Sequence, residues 1–331
     1  MFKNIYIEDA VIEHPRTKHI LSKVKYKAQF QIDKIEDIWG KYKKPYLQKR
    51  ETLNLFIGNK KGQLVKEAPV AYGHGTEKHY YFIHAYNCIY ECKYCYLQGH
   101  FNTPDLVFFI NHEEIIAEMQ DVIKAYPDAW FHSGEFSDSL ALSHITDELP
   151  IYFDFFRKNQ QAKFEIRTKS VNIKELLKLE PLENIFISFT LSSNKGGKSF
   201  DLRCPSVKAR INAISKLVEH GYQIGIHFDP IIYHEDFESD YQDIINELSQ
   251  VLPNKQLGYL SLGVVRFTKD VYREVENNYP DSPIVKQDYI KSFDNKIRYN
   301  HPMRSWMLNK VKQMLLEKSY SEDKIYFCME E

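Results

Sequence analysis

From residue 79 onward the chain repeats one pattern six times: a short apolar run suited to a strand, then a longer stretch of helical periodicity. The apolar runs are residues 80–86, 129–134, 163–167, 184–190, 223–228 and 257–265. Strands separated by helices do not pair as hairpins, so they run parallel and the crossover helices cover the sheet. The clearest helix is expected over residues 206–220, where Ser206 can cap the start, Ile211, Ile214, Leu217 and Val218 form an apolar stripe, and Gly221 can end it. Six units are two short of the eight that close a standard barrel. The expected fold is therefore α/β, a partial (β/α)6 TIM-like barrel, with a doubly wound sheet as the runner-up. In both, ligands bind where the strands end, at their carboxyl termini.

The change of pattern suggests three parts: a basic α/β extension over residues 1–78, the barrel core over 79–267, and a C-terminal extension over 268–331 that packs on the core. Net charge is -1 over the chain, but residues 1–80 hold 14 Lys and 2 Arg against 9 Asp or Glu. A basic front end thus precedes an acidic body. Lys23, Lys25, Lys27, Lys41, Lys43 and Lys44 are either a solvated face or a surface for nucleic-acid phosphates. No apolar run approaches the roughly 20 residues of a membrane span, and Lys3, Glu8 and Asp9 do not suit a secretory signal. The cytoplasm is the expected compartment.

Three of the five cysteines, Cys88, Cys92 and Cys95, fall within eight residues in the spacing C-x3-C-x2-C, just after the first expected strand. A disulfide framework explains this poorly. Three thiolates at such range suit an iron-sulfur cluster with one iron left open to an exogenous ligand. The bland alternatives are buried thiols or a structural zinc completed by His84 or His100. Elsewhere, His227, Asp229, His234 and Glu235 surround a strand end without a tight ligand motif, and ordinary hydrogen bonding is expected of them.

The cysteine spacing, with Tyr94-Cys95-Tyr96-Leu97-Gln98, resembles the radical S-adenosylmethionine (SAM) superfamily. Further stretches resemble the spore photoproduct lyase family within it: Tyr6-Ile7-Glu8, Ser137-Asp138 with His144-Ile145-Thr146, Thr168-Lys169, and Arg266-Phe267-Thr268-Lys269 with Tyr279-Pro280. The resemblance implies a radical SAM barrel, a [4Fe-4S] cluster on Cys88, Cys92 and Cys95, and SAM on the open iron. Reductive cleavage of SAM would release a 5'-deoxyadenosyl radical for repair of a thymine-dimer lesion in DNA. It also implies SAM contacts from Ser137, Lys169 and Ser188, and positioning or radical relay by Tyr94 and Tyr96. A reducing donor such as flavodoxin or ferredoxin would supply the electron.

One position departs from the family pattern. The family's hydrogen-donor cysteine is replaced by Glu135, whose carboxylic O–H bond is too strong to quench a carbon radical. Ser133-Gly134-Glu135-Phe136 instead resembles an element that holds the SAM amino group in related enzymes, so Glu135 is expected to bind cofactor. Cys204 and Tyr96 are then the candidate hydrogen donors, and Arg266 and Lys269 the candidate DNA contacts of the core. Cys328 is expected to pack in an edge strand. Competing functions are a radical SAM enzyme with another nucleic-acid or small-molecule substrate, and a non-catalytic, zinc-stabilised nucleic-acid-binding module.

Overall fold

Residues 2–47, 52–69 and 75–330 are described by the structure, a computed structural model. Each of the six apolar runs contributes a strand: His79–Phe82, Trp130–Ser133, Lys163–Thr168, Ile185–Thr190, Gln223–Ile231 and Leu257–Val264. They lie side by side in chain order, all parallel. Their burial is nearly continuous, as in Leu257–Val264 where seven of eight residues are buried, because helices cover one face and the barrel interior the other. Val65–Glu67 adds an antiparallel strand at one edge and Ile325–Phe327 a parallel strand at the other. No pairing among the described residues joins these edges, so the sheet is a partial barrel.

The crossover helices form where periodicity places them. Val207–His220 is capped by Ser206, whose Oγ accepts from the Ala209 amide at 3.2 Å, and ends at Gly221 with φ +105°. Its Ile211, Ile214 and Leu217 are buried against the sheet. Phe237–Val251 repeats the arrangement before the last barrel strand. Among the described residues no helix is long and apolar enough to cross a membrane.

A second sheet has the order Tyr26–Ile32, Phe2–Glu8, Leu55–Gly58, Leu106–Phe109, all parallel, with Ala85–Tyr86 antiparallel at the end. It thus draws two strands from beyond residue 78. This sharing hangs the cysteine loop between the two sheets, since the loop starts immediately after Ala85–Tyr86. Lys23, Lys25, Lys27 and Lys41 are exposed. Lys43 and Lys44 instead pair with Glu274 and the buried Asp105, tying residues 40–47 to the core. Beyond the barrel, Arg266–Phe267, Tyr289–Lys291 and Ile297–Tyr299 form a small antiparallel sheet. Cys328 is buried directly after the edge strand.

Candidate active site

The cysteine loop has almost no regular structure of its own and is held by long-range bonds. Glu91–Cys92 pairs antiparallel with Asp201–Leu202, and the Lys93 amide donates to the Phe200 carbonyl at 2.8 Å. Gln98 Nε2 donates to the carbonyls of Lys93 and Cys95, both at 2.9 Å. Cys88, Cys92 and Cys95 thereby line one cleft of about 590 Å³ at the carboxyl ends of the barrel strands. Tyr94, Tyr96, Glu135, Ser137 and Lys169 line the same cleft.

Beneath the loop lies a buried ion pair that sequence reasoning missed. Arg210 and Asp201, each 1% exposed, meet at 2.8 Å. Asp201 also accepts from the Tyr94 hydroxyl and, at 3.0 Å, from Ser192 Oγ. Arg210 donates to the carbonyls of Thr190 and Pro205. Lys169 Nζ sits 5.4 Å from the centre of the Tyr94 ring. Burial opposes the Lys169 charge, but Cys92 and Asp201 outweigh it and hold the ammonium above its ordinary range.

A second loop, after Trp130–Ser133, faces the cysteines. Gly134 has φ +88°, and a Cβ there would meet Ser139 Oγ at 2.6 Å, so both conformation and space require glycine. Asp138 fixes the loop: its carboxylate accepts from the amides of Leu140, Ala141 and Lys169 and from Thr168 Oγ1. Glu135 is thus presented to the cleft, where the Tyr96 hydroxyl bonds to its carbonyl and lies 3.3 Å from Oε1.

Three expected site residues are placed differently. Ser188 does not line the cleft: it is fully buried one layer below, its Oγ 2.5 Å from the Tyr259 hydroxyl. That layer is organised by Glu165, also fully buried, which accepts from Arg167 at 2.9 and 3.1 Å, from His227 at 2.6 Å, and from His132 and Tyr259. Burial opposes the Glu165 charge, yet Arg167 and the two histidines hold the carboxyl well below its ordinary range. Cys204 also lies outside the cleft lining, with its sulfur 3.6 Å from Cys92 Sγ. Arg266 lines the cleft but is engaged in a two-pronged pair with Asp229, both contacts 3.1 Å, rather than presented as a surface cation. Lys269 is exposed at the start of the helix Lys269–Asn278, outside the lining. His227 and Asp229 are thus used in separate hydrogen-bonded pairs, His234 bonds Ser193 at 2.9 Å, and Glu235 is exposed.

The donor set decides which inorganic group the loop could hold. Thiolates around one zinc at about 2.3 Å stand within about 4 Å of each other. Among the described residues no three His, Cys, Asp or Glu side chains gather in that way. His84, the first zinc alternative, is buried 3.8 Å from Glu148, and burial lowers it to about 4. His100 stacks on Phe136 with ring centres 5.1 Å apart. Three thiols lining one open cleft are the soft donor set of an iron-sulfur cluster with one iron left over for an exogenous ligand. Burial pushes the Cys88 thiol well up and Cys95 up to about 12, while the hydrogen bond from Cys204 draws Cys92 down.

A partial parallel barrel with a C-x3-C-x2-C loop at its strand ends defines the radical SAM class of enzyme. Comparison with known proteins narrows this. The profile of the spore photoproduct lyase family matches residues 1–325, and the chain belongs to that family. Relatives named spore photoproduct lyase include those of Bacillus subtilis, 24% identical over 85% of this chain and 83% of that protein, and Clostridium acetobutylicum, 24% identical over 62% of each chain. The chain thus spans less than two thirds of the Clostridium protein. Among solved structures, a cysteine-to-alanine variant of spore photoproduct lyase with dinucleoside spore photoproduct has TM-score 0.81 and 20% identity, covering 99% of both chains. A further variant, with bound AdoMet and the same dinucleoside, has TM-score 0.80 at 20% identity, covering 99% of this chain and 98% of that one. These structures show a shared fold.

Proposed function

We propose that this chain is a radical SAM lyase that cleaves SAM reductively and acts on a thymine-dimer lesion in DNA. The carrying observation is the convergence of Cys88, Cys92, Cys95, Tyr94, Glu135, Ser137 and Lys169 on one cleft. Relatives named for spore photoproduct, two of their structures holding its dinucleoside, support the substrate class. A [4Fe-4S] cluster on the three cysteines would supply the electron that splits SAM into methionine and a 5'-deoxyadenosyl radical. The electron would enter from a reducing donor such as flavodoxin or ferredoxin.

The protein's own residues would orient and protect. Lys169 offers a cation to the SAM carboxylate, Glu135 an acceptor to its amino group, and Ser137 a hydroxyl nearby. Tyr94 lines the cleft with its hydroxyl held by Asp201, so the ring cannot turn further without breaking that bond. With Cys204 behind the loop, Tyr96 is the hydrogen donor in the cleft, since a phenolic O–H is weaker than the carboxylic O–H of Glu135. Lys269 and the exposed Lys23, Lys25, Lys27 and Lys41 of the N-terminal region would meet DNA phosphates. Arg266 would shape the cleft through Asp229.

The test is anaerobic incubation of reduced protein with SAM and dinucleoside spore photoproduct, with mass spectrometry of every nucleoside. Thymine products with 5'-deoxyadenosine are expected, and Tyr96→Phe should yield altered thymine adducts. SAM cleavage with the dimer intact would favour a different nucleic-acid or small-molecule substrate, a reading supported by Glu135 and the Asp229–Arg266 pair in the cleft.

A further inference from the structure

Cys204 is separated from Cys92 by 112 positions in the chain, yet their sulfurs lie 3.6 Å apart. Several features build this approach. Asp201–Leu202 forms a ladder with Glu91–Cys92, which fixes the two segments in register. Arg203 then adopts φ +58°, a left-handed conformation uncommon outside glycine, with Nε 3.1 Å from Glu91 Oε2. That turn directs Cys204 back along the ladder, and the Cys204 amide donates to the Asp201 carbonyl at 3.2 Å. The buried Asp201–Arg210 pair anchors the whole turn from below.

The separation is far longer than a disulfide bond of about 2.05 Å and matches a thiol donating to a sulfur. One other acceptor is in reach, the Leu202 carbonyl at 3.6 Å. When Cys92 is a cluster thiolate, its negative charge makes it the stronger acceptor of that single proton. Hydrogen bonds to cluster sulfurs favour the more negative, reduced state and so raise the reduction potential.

We propose that Cys204 is a positioning residue of the cluster site, its thiol donating an S–H···S hydrogen bond to Cys92 that eases reduction of the cluster. This rests on the cluster assignment above and goes beyond it, since it gives Cys204 a role in electron entry rather than in hydrogen donation to substrate. Its partner is a ligand sulfur, so its effect is read in a potential.

The experiment is a redox titration followed by electron paramagnetic resonance on the parent, Cys204→Ala and Cys204→Ser. The midpoint potential is expected to fall in Cys204→Ala and to return toward the parent in Cys204→Ser, whose hydroxyl can also donate, with iron and sulfide per chain unchanged. An unchanged potential in Cys204→Ala overturns the proposal. Loss of iron from both variants also overturns it, by making Cys204 a ligand. A second measurement needs no cluster. Diamide applied to iron-free protein takes two protons and two electrons from a close thiol pair, becoming a hydrazine as the S–S bond forms. Peptide mapping should show Cys92 joined to Cys204 as the main product. A different main pair overturns the proposed approach, whereas a parent that binds no iron yet gives this crosslink overturns the cluster assignment and leaves the geometry standing.

Discussion

The cysteine loop and the barrel interior below it each centre on a buried carboxylate surrounded by donors. Asp201 collects Arg210, Tyr94 and Ser192; Glu165 collects Arg167, His132, His227 and Tyr259. The partners differ in origin. Those of Glu165 come from barrel strands: Arg167 stands two residues along its own strand, His132 lies opposite Glu165 on the adjacent strand, and His227 and Tyr259 come from strands further across the same sheet. Those of Asp201 come from loops and a helix that no ladder aligns. The interior carboxylate therefore holds the frame, and the loop carboxylate holds the chemistry to the frame.

The largest expected effect separates chemistry from frame outright. Replacing Cys88, Cys92 or Cys95 by Ala should abolish 5'-deoxyadenosine formation while the unfolding transition of the iron-free protein stays where it was. Retained cleavage in all three would remove the basis for the cluster.

Next in size is Glu165→Gln. Removing one member of a buried ionic group leaves an uncompensated charge and costs about 3–5 kcal/mol, so denaturant unfolding should show a global loss. The pH dependence has a definite sign. Because the folded-state pKa of Glu165 is held below its unfolded value, its contribution is present above the ordinary carboxylate range and lost as pH falls below it. Stability of the parent should fall in acid more steeply than that of Glu165→Gln, and parallel profiles would show that Glu165 is not an ionised hub.

Asp201→Asn should cost somewhat less, on the order of 3 kcal/mol, because the Asn amide oxygen still accepts one bond from Arg210. Its signature is local: hydrogen exchange should accelerate over residues 88–97 before the barrel strands respond. Equal acceleration throughout would erase the proposed distinction between the two carboxylates. The smallest effect concerns the exposed lysines. Each of Lys23, Lys25 and Lys27 changed to Ala should reduce the salt dependence of DNA binding by about one phosphate contact or less. Binding unaffected by all three and by salt would make that strip a solvated face.

The same contrast explains what could be seen in the sequence. All six core strands and the helix over residues 206–220 were legible, because burial on both faces and a clean apolar stripe leave strong local patterns. The cysteine triplet was legible because its ligands are close in the chain. The SAM contact expected of Ser188 rests on the family resemblance; its strand runs on to Thr190, which lines the cleft, and Ser188 faces the layer beneath. The strand Gln223–Ile231 extends three residues beyond its expected end at 228, which brings Asp229 to Arg266 and occupies a guanidinium assigned to DNA. Cys204 could not be placed because its position depends on a pair of two-residue strands, too short to carry any periodicity.

The central claim is that the loop of Cys88, Cys92 and Cys95 holds a redox cluster open to SAM. It is tested most directly by electron paramagnetic resonance of the anaerobically purified, reduced protein before and after addition of SAM, alongside iron, sulfide and zinc analysis. The account requires about four irons and four sulfides per chain and a reduced-cluster signal that changes shape when SAM binds. Colourless protein with one zinc per chain and no such signal would contradict it.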